Sequence, residues 1–371
     1  MNAVEYQQLP TLVRLAAPSA AGLPADVFEP PLSQLGDRPG SDTGDVHPRS
    51  SAADDLRLLL AGAHSLCAML GESSAPALPT LRETTECACT LAQAGKYDDL
   101  TAVLGKLLPG LEAAVRTVPP PLRADAYELT AMAYQACSAA LMKLAEPLAA
   151  WVAADRAMAA AEKAGNVVLA AAGQYRLASV LVDSRECALA DEMARTALLA
   201  LRGRAELADP DALSLCGGLT VLRAVIAART GRPAAAFGHL AKARLLASRL
   251  GTRLASALPE FGAPYVAVAE LGVSVELGDA DWALRVAASL DPACLPPTWN
   301  ARMLIDVARA YALRKQVDKA TCALARAADL GFGEERDREI ALDVVRDLLA
   351  MQTPAITALA TLAKRLQVLP A

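Results

Sequence analysis

The sequence is poor in the residues from which catalytic centres are most often built. Three histidines stand in 371 residues, and aromatic side chains make up 4% of the chain, as three Trp, seven Tyr and four Phe. Imidazole is the commonest metal ligand and proton shuttle at neutral pH, so such chemistry has few positions here. His47 lies in a stretch of Gly, Pro, Asp and Ser. His64 falls in an apolar helical pattern, and His239 lies on a helix between Phe237 and Leu240, as a groove or surface residue. No G-x-x-x-x-G-K-S/T, H-E-x-x-H or G-x-S-x-G motif occurs. The acidic pairs Asp54-Asp55, Asp98-Asp99 and Glu334-Glu335 stand where helices begin, and the helix macrodipole accounts for them. We therefore expect no catalytic residues, no metal, no cofactor and no enzymatic activity.

Other scarcities narrow the partners. The net charge is −5, which offers no electrostatic footprint for nucleic acid. The longest apolar stretches, such as Leu56–Leu70, fall short of the roughly 20 residues a membrane span needs, and this one contains Arg57 and His64. Met1–Pro10 lacks a basic start and an apolar run, so a cytoplasmic protein without a secretory segment is expected. Only Asn2, Asn166 and Asn300 supply asparagine amides, with Asn300 alone expected on an inner face. That argues against a ladder of amides clamping an extended peptide. Eight cysteines form no C-x-x-C and mostly sit among alanines on apolar faces, so buried reduced thiols are expected.

What is present is alanine and leucine. Hydrophobic residues reach 54%, and Ala and Leu are the strongest helix formers. The stretch Leu304–Ala327 reads as two helices joined by a tight turn. Its pattern, L-x2-V-A-x2-Y followed by A-x3-L, keeps the spacing of the tetratricopeptide signature with substitutions at its Trp, Gly and Phe. Ala308, Ala320 and Ala327 let two helices approach closely, and Tyr311 and Leu324 fill the groove beside them. Similar pairs are expected over Leu81–Ala94 and Tyr97–Val115, Leu122–Leu144 and Glu146–Ala164, and Val167–Leu181 and Glu186–Leu201. A fourth opens at Asp209-Pro210 and turns at Gly231, and a fifth covers Pro264–Leu277 and Ala280–Leu290. Terminal helices come next, over Glu335–Met351 and Thr353–Leu366. The small residues Ala153, Ala190, Ala236, Ala283 and Ala320 recur at intervals of 37, 46, 47 and 37 residues. One such pair cannot bury its own apolar face, so the fold class expected is all-α, a tetratricopeptide-like α-α superhelix over residues 54–371 with a concave inner face.

Residues 1–53 read as an arm and linker. Gly36–Ser51 cannot bury apolar area and is expected to be disordered. Asp54–Gly71 then reads as one helix. Leu9–Phe28, with its LPTLVRLA and a following Leu-Pro-x-x-Val-Phe tail, resembles the closing part of a lambda-repressor-like helix-turn-helix domain of the Xre type. The alternative is a loosely packed arm. Further on, AWVAADRAMAAAEKAGN, FGAPYVAVAELGVSVELGD, ELGDADWALRVAASLDPACLPP, RMLIDVARAYA and REIALDVVRDLLA together resemble, in order, the C-terminal helical half of actinobacterial Xre-family transcriptional regulators, over about residues 75–368. In that family the helix-turn-helix binds DNA, and the helical half senses a small molecule or peptide or mediates dimerisation. Here the recognition helix would lie upstream of Met1, so direct DNA binding by this chain is not expected. The resemblance implies a regulatory sensor or interaction module, with a small ligand, a protein partner or a second copy of the chain as its partners. Alternatives are a protein-binding scaffold with no small ligand, and a full DNA-binding regulator whose start lies further upstream.

The concave face is the candidate site, lined by the first helix of each pair. Its expected residues are Tyr134, Gln174, Arg176, Arg223, Tyr265, Glu270, Arg302 and Asp306. Arg176 and Arg223 offer guanidinium forks for a carboxylate or phosphate. Trp151, Trp282 and Trp299 are the large apolar anchors. The alternative is that the tryptophans pack between repeats and the arginines form internal ion pairs.

Overall fold

In the computed structural model the described residues are 51–62, 64–70, 75–252, 260–292, 295, 297–332, 335–351 and 357–368, all within the unit Arg49–Ala371. Among them are sixteen α-helices and no strand. Two short helices lead, α1 (Ser51–Ala61) and α2 (His64–Met69). Six hairpins succeed them: α3 (Leu78–Gln93) with α4 (Tyr97–Thr117), α5 (Arg123–Lys143) with α6 (Pro147–Ala164), α7 (Val167–Asp183) with α8 (Cys187–Glu206), α9 (Pro210–Arg229) with α10 (Pro233–Leu250), α11 (Ala263–Glu276) with α12 (Ala280–Ser289), and α13 (Pro297–Leu313) with α14 (Val317–Leu330). The described chain closes with α15 (Glu335–Met351) and α16 (Thr357–Arg365).

The six hairpins share one turn. Each places a single left-handed residue between its helices: Gly95, Ala145, Arg185, Gly231, Gly278 and Lys315, with φ from 56° to 77°. The amide after each of them donates to the carbonyl five residues back, as in Lys96 to Leu91, Glu146 to Leu141, Glu186 to Leu181, Arg232 to Ala227, Asp279 to Ser274 and Gln316 to Tyr311, all at 2.8–3.0 Å. This is the Schellman closure of a helix C-terminus. The same residue then starts the next helix. Its carbonyl accepts from the amide four positions on, at Leu100, Ala150, Ala190, Ala236, Ala283 and Ala320. Those side chains are completely buried, so the turn fixes which residue of the second helix meets the first. The position equivalent to Ala190 in the second hairpin is thus Ala150, whose carbonyl accepts from Ser138 Oγ at 2.9 Å, rather than Ala153, which is also buried.

Caps set the remaining boundaries. Asn166 Oδ1 accepts from the amides of Val168 and Leu169 after a left-handed Gly165. Asp209 caps α9 in the same way, ahead of Pro210. The core is largely alanine against leucine. Ala308, Ala320, Leu324 and Ala327 are buried together, and Tyr311 packs half-buried beside them. Pro210–Arg229 is long and apolar enough to cross a membrane, but 78% of its apolar window is buried within the fold.

Three expectations need correction. The stretch from Asp54 is two helices, broken at Gly62, with His64 Nε2 hydrogen-bonding the Leu59 carbonyl at 2.8 Å. The first helix begins at Ser51, with Ala52 and Ala53 buried, so it takes in residues expected in the linker. The cysteines are not uniformly buried. Cys137 and Cys216 are, and burial pushes their thiols up to about 12 and about 11, whereas Cys87 and Cys322 are exposed. The arm, the helix-turn-helix-like segment Leu9–Phe28 and His47 lie outside the described residues.

Candidate functional site

The first helices of the hairpins share one wide cavity of about 1170 Å³. Their inner stripes follow helical spacing: Met132, Gln135, Ala136 and Ala139 on α5; Tyr175, Arg176, Ser179 and Asp183 on α7; Val221, Leu222, Val225 and Arg229 on α9; Tyr265, Val268, Ala269 and Gly272 on α11; Trp299, Arg302, Asp306 and Arg309 on α13. The N-terminal turn of α15 adds Arg336 and Asp337. α15 also packs against α5, and Arg336 donates a hydrogen bond to Asp183 at the end of α7, so the C-terminal end of the run of hairpins reaches the second and third hairpins across the cavity. More than a cap on the last hairpin, α15 is a wall.

The charged lining is mostly self-neutralised. Arg302 bonds Asp306 at 3.2 Å and Asp337 at 3.0 Å, while Arg309 bonds Asp306 at 3.0 Å and Glu276 at 2.9 Å. The carboxylates, Asp306 foremost, hold Arg302 protonated well above the ordinary arginine range. Asp183 sits among Arg336, Arg229 and Arg302, yet burial outweighs their pull and raises its carboxyl above the usual range. Arg204 lies 3.6 Å from Asp209. Asn166 Nδ2 donates to Glu128 at 2.8 Å, and Gln135 Nε2 donates to the Leu169 carbonyl at 2.8 Å.

Arg176 differs from every other arginine of the lining. Among the described residues its guanidinium forms no ion pair or hydrogen bond, and its Nε is buried without a partner. Leaving such a donor unsatisfied is costly unless something else meets it.

The adjoining wall is aromatic. Phe261 and Tyr265 meet edge to face with ring centroids 6.0 Å apart. Tyr265 and Trp299 are 5.7 Å apart, and the hydroxyls of Tyr175 and Tyr265 lie 3.4 Å apart. Four of the chain's fourteen aromatic residues are thus gathered in one cavity. The Phe261 ring lies directly on α9 at Gly217, where a Cβ would stand 1.9 Å from the ring. Gly217→Ala gains up to about 1 kcal/mol in helix preference but must displace that ring. We expect a net loss of about 1–2 kcal/mol by urea unfolding, with an altered Trp299 emission as the wall shifts.

Half of the expected groove residues line the cavity: Arg176, Tyr265, Arg302 and Asp306. The others are placed elsewhere by the helix period. Tyr134 is buried on the far side of α5, its hydroxyl donating to Glu112 at 3.5 Å and its ring beneath Arg156; burial pushes its pKa up to about 12. Arg223 turns to α8 and bonds both oxygens of Asp191, at 2.7 and 3.3 Å. Glu270 accepts from Arg244 and, at 3.2 Å, from Trp282 Nε1. Gln174 and Trp151 are also outside the lining, leaving Trp299 as its only tryptophan. Asn166 lines the cavity, whereas Asn300 donates to the Pro292 carbonyl outside it. Tyr175, Phe261, Asp183, Arg229, Arg309, Arg336 and Asp337 join the lining without having been expected there. A helical stripe drawn through Arg176 would have found Ser179 and Asp183.

The chain matches no protein-family model, and no curated protein sequence matches it.

Proposed function

We propose that this chain is a cytoplasmic, tetratricopeptide-like regulatory module that senses a compact ligand inside the cavity, as the helical half of an Xre-like regulator would. The observation that carries the reading is Arg176, whose guanidinium has no partner among the described residues, at a half-apolar cavity whose other arginines are all engaged. The volume of about 1170 Å³ is somewhat larger than the roughly 300–1,000 Å³ of usual small-molecule sites, so a compact ligand would occupy part of it. Occupancy acts by shifting the balance between a ring closed by α15 and one opened there, since a ligand biases only those states it binds unequally.

Thermal-shift measurements with a fractionated cell extract test this. The expected outcome is a raised melting temperature with a low-molecular-weight fraction. Stabilisation by a macromolecular fraction alone would instead support a protein-binding scaffold. Sequence-specific gel shifts of genomic fragments by the purified chain would overturn the view that it does not bind DNA directly.

A further inference from the structure

The cavity's chemistry narrows the class of ligand that a sensor of this kind would take, and the assignment rests on that sensor function. We infer that the occupant is a flat, unsaturated organic acid carrying a single negative charge, with its carboxylate on Arg176 and its ring system against Tyr265, Trp299 and Phe261.

Charge comes first. Arg176 holds a fork of donors that no described side chain meets, and a carboxylate matches that fork in two parallel hydrogen bonds. A multiply charged phosphate is a poor fit. One arginine cannot balance it, since the other arginines of the lining are already held by carboxylates or backbone carbonyls. A cation would have the aromatic faces and Glu260 to draw on. Glu260, however, is exposed, whereas the Arg176 side chain is half-buried and has no partner among the described residues. A half-buried guanidinium gains more from a partner than a carboxylate open to solvent does.

Shape comes second. Tyr175 and Arg176 are neighbours on α7, and the Tyr175 hydroxyl reaches that of Tyr265, so the guanidinium and the aromatic wall belong to one continuous surface. Tyr265 and Trp299 are only half-buried, which leaves ring surface for stacking. Phe261, seated on Gly217, backs them.

The test uses the full chain and three probes of one shape: 2-naphthoate, neutral 2-naphthalenemethanol and cationic 2-naphthylmethylamine, titrated by calorimetry up to millimolar concentration. The acid is expected to bind about tenfold more tightly than the alcohol, the worth of one charge-assisted contact, with the amine weakest. Arg176→Met should erase the preference of acid over alcohol, and its unpaired position means that the variant should melt as the parent does. Arg223→Met, whose guanidinium is held by Asp191 outside the cavity, should keep it. Trp299→Leu should weaken acid and alcohol alike. Equal or tighter binding of the alcohol or amine, an unchanged preference in Arg176→Met, or no binding of the acid overturns this assignment. The sensor function survives those results if a small-molecule fraction of extract still stabilises the chain, and falls if none does.

Discussion

Arg302→Met is expected to lower the unfolding free energy by about 3 kcal/mol, read from urea denaturation at neutral pH. Arg302 joins Asp306 on its own helix to Asp337 on α15, at 3.2 and 3.0 Å. Asp337 is 4% exposed and Asp306 1%. Removing one partner of a buried pair costs about 3–5 kcal/mol because the other charge is left desolvated. The lower end applies here, since Arg302 is itself partly exposed and Asp306 keeps Arg309 at 3.0 Å. Asp337, with Arg302 gone, carries the loss. The double variant Arg302→Met with Asp337→Asn should recover part of the loss. A single variant as stable as the parent would mean that this network carries little energy.

Ala320→Trp is the second large effect, with an expected loss of about 3 kcal/mol and separate melting of the last hairpin. Overpacking a filled core costs about 1–3 kcal/mol, and more where nothing can give. Ala320 is fully buried, four residues after the turn residue Gln316 whose carbonyl bonds its amide. Its neighbours Ala308, Leu324 and Ala327 are likewise fully buried. The backbone cannot slide to make room, because the Schellman closure at Lys315 and Gln316 fixes where α14 starts. A cooperative transition indistinguishable from the parent's would contradict the close approach of α13 and α14. Ala325→Trp, at a half-buried position on the same helix, should cost much less.

Helices were legible in the residues because alanine and leucine leave few other options, and turns were legible where glycine marked them. Gly95, Gly231 and Gly278 punctuate three hairpins visibly. The other three use Ala145, Arg185 and Lys315 in the same left-handed conformation. No composition rule singles those out, since the bonds that hold them come from the helices on either side. The helical stripes located Arg176, Tyr265, Arg302 and Asp306. Tyr134, Arg223 and Glu270 were misplaced because being on a first helix does not decide which way a side chain faces, and a step of one or two residues turns it to the neighbouring layer. The contact between α15 and α7 lay beyond local pattern. Arg336 and Asp183 are 153 positions apart and meet only after the intervening hairpins have stacked.

That separation gives the molecule a definite order of assembly and disassembly. Contacts between successive helices close short loops and form early, whereas the junction of α15 with α5 and α7 closes the longest loop and forms last. It is correspondingly the part most readily released. Among the described residues few contacts and one hydrogen-bonded pair hold it, so its opening is expected to leave the hairpins folded. Amide hydrogen exchange along the first turns of α15 would report how often that seam opens.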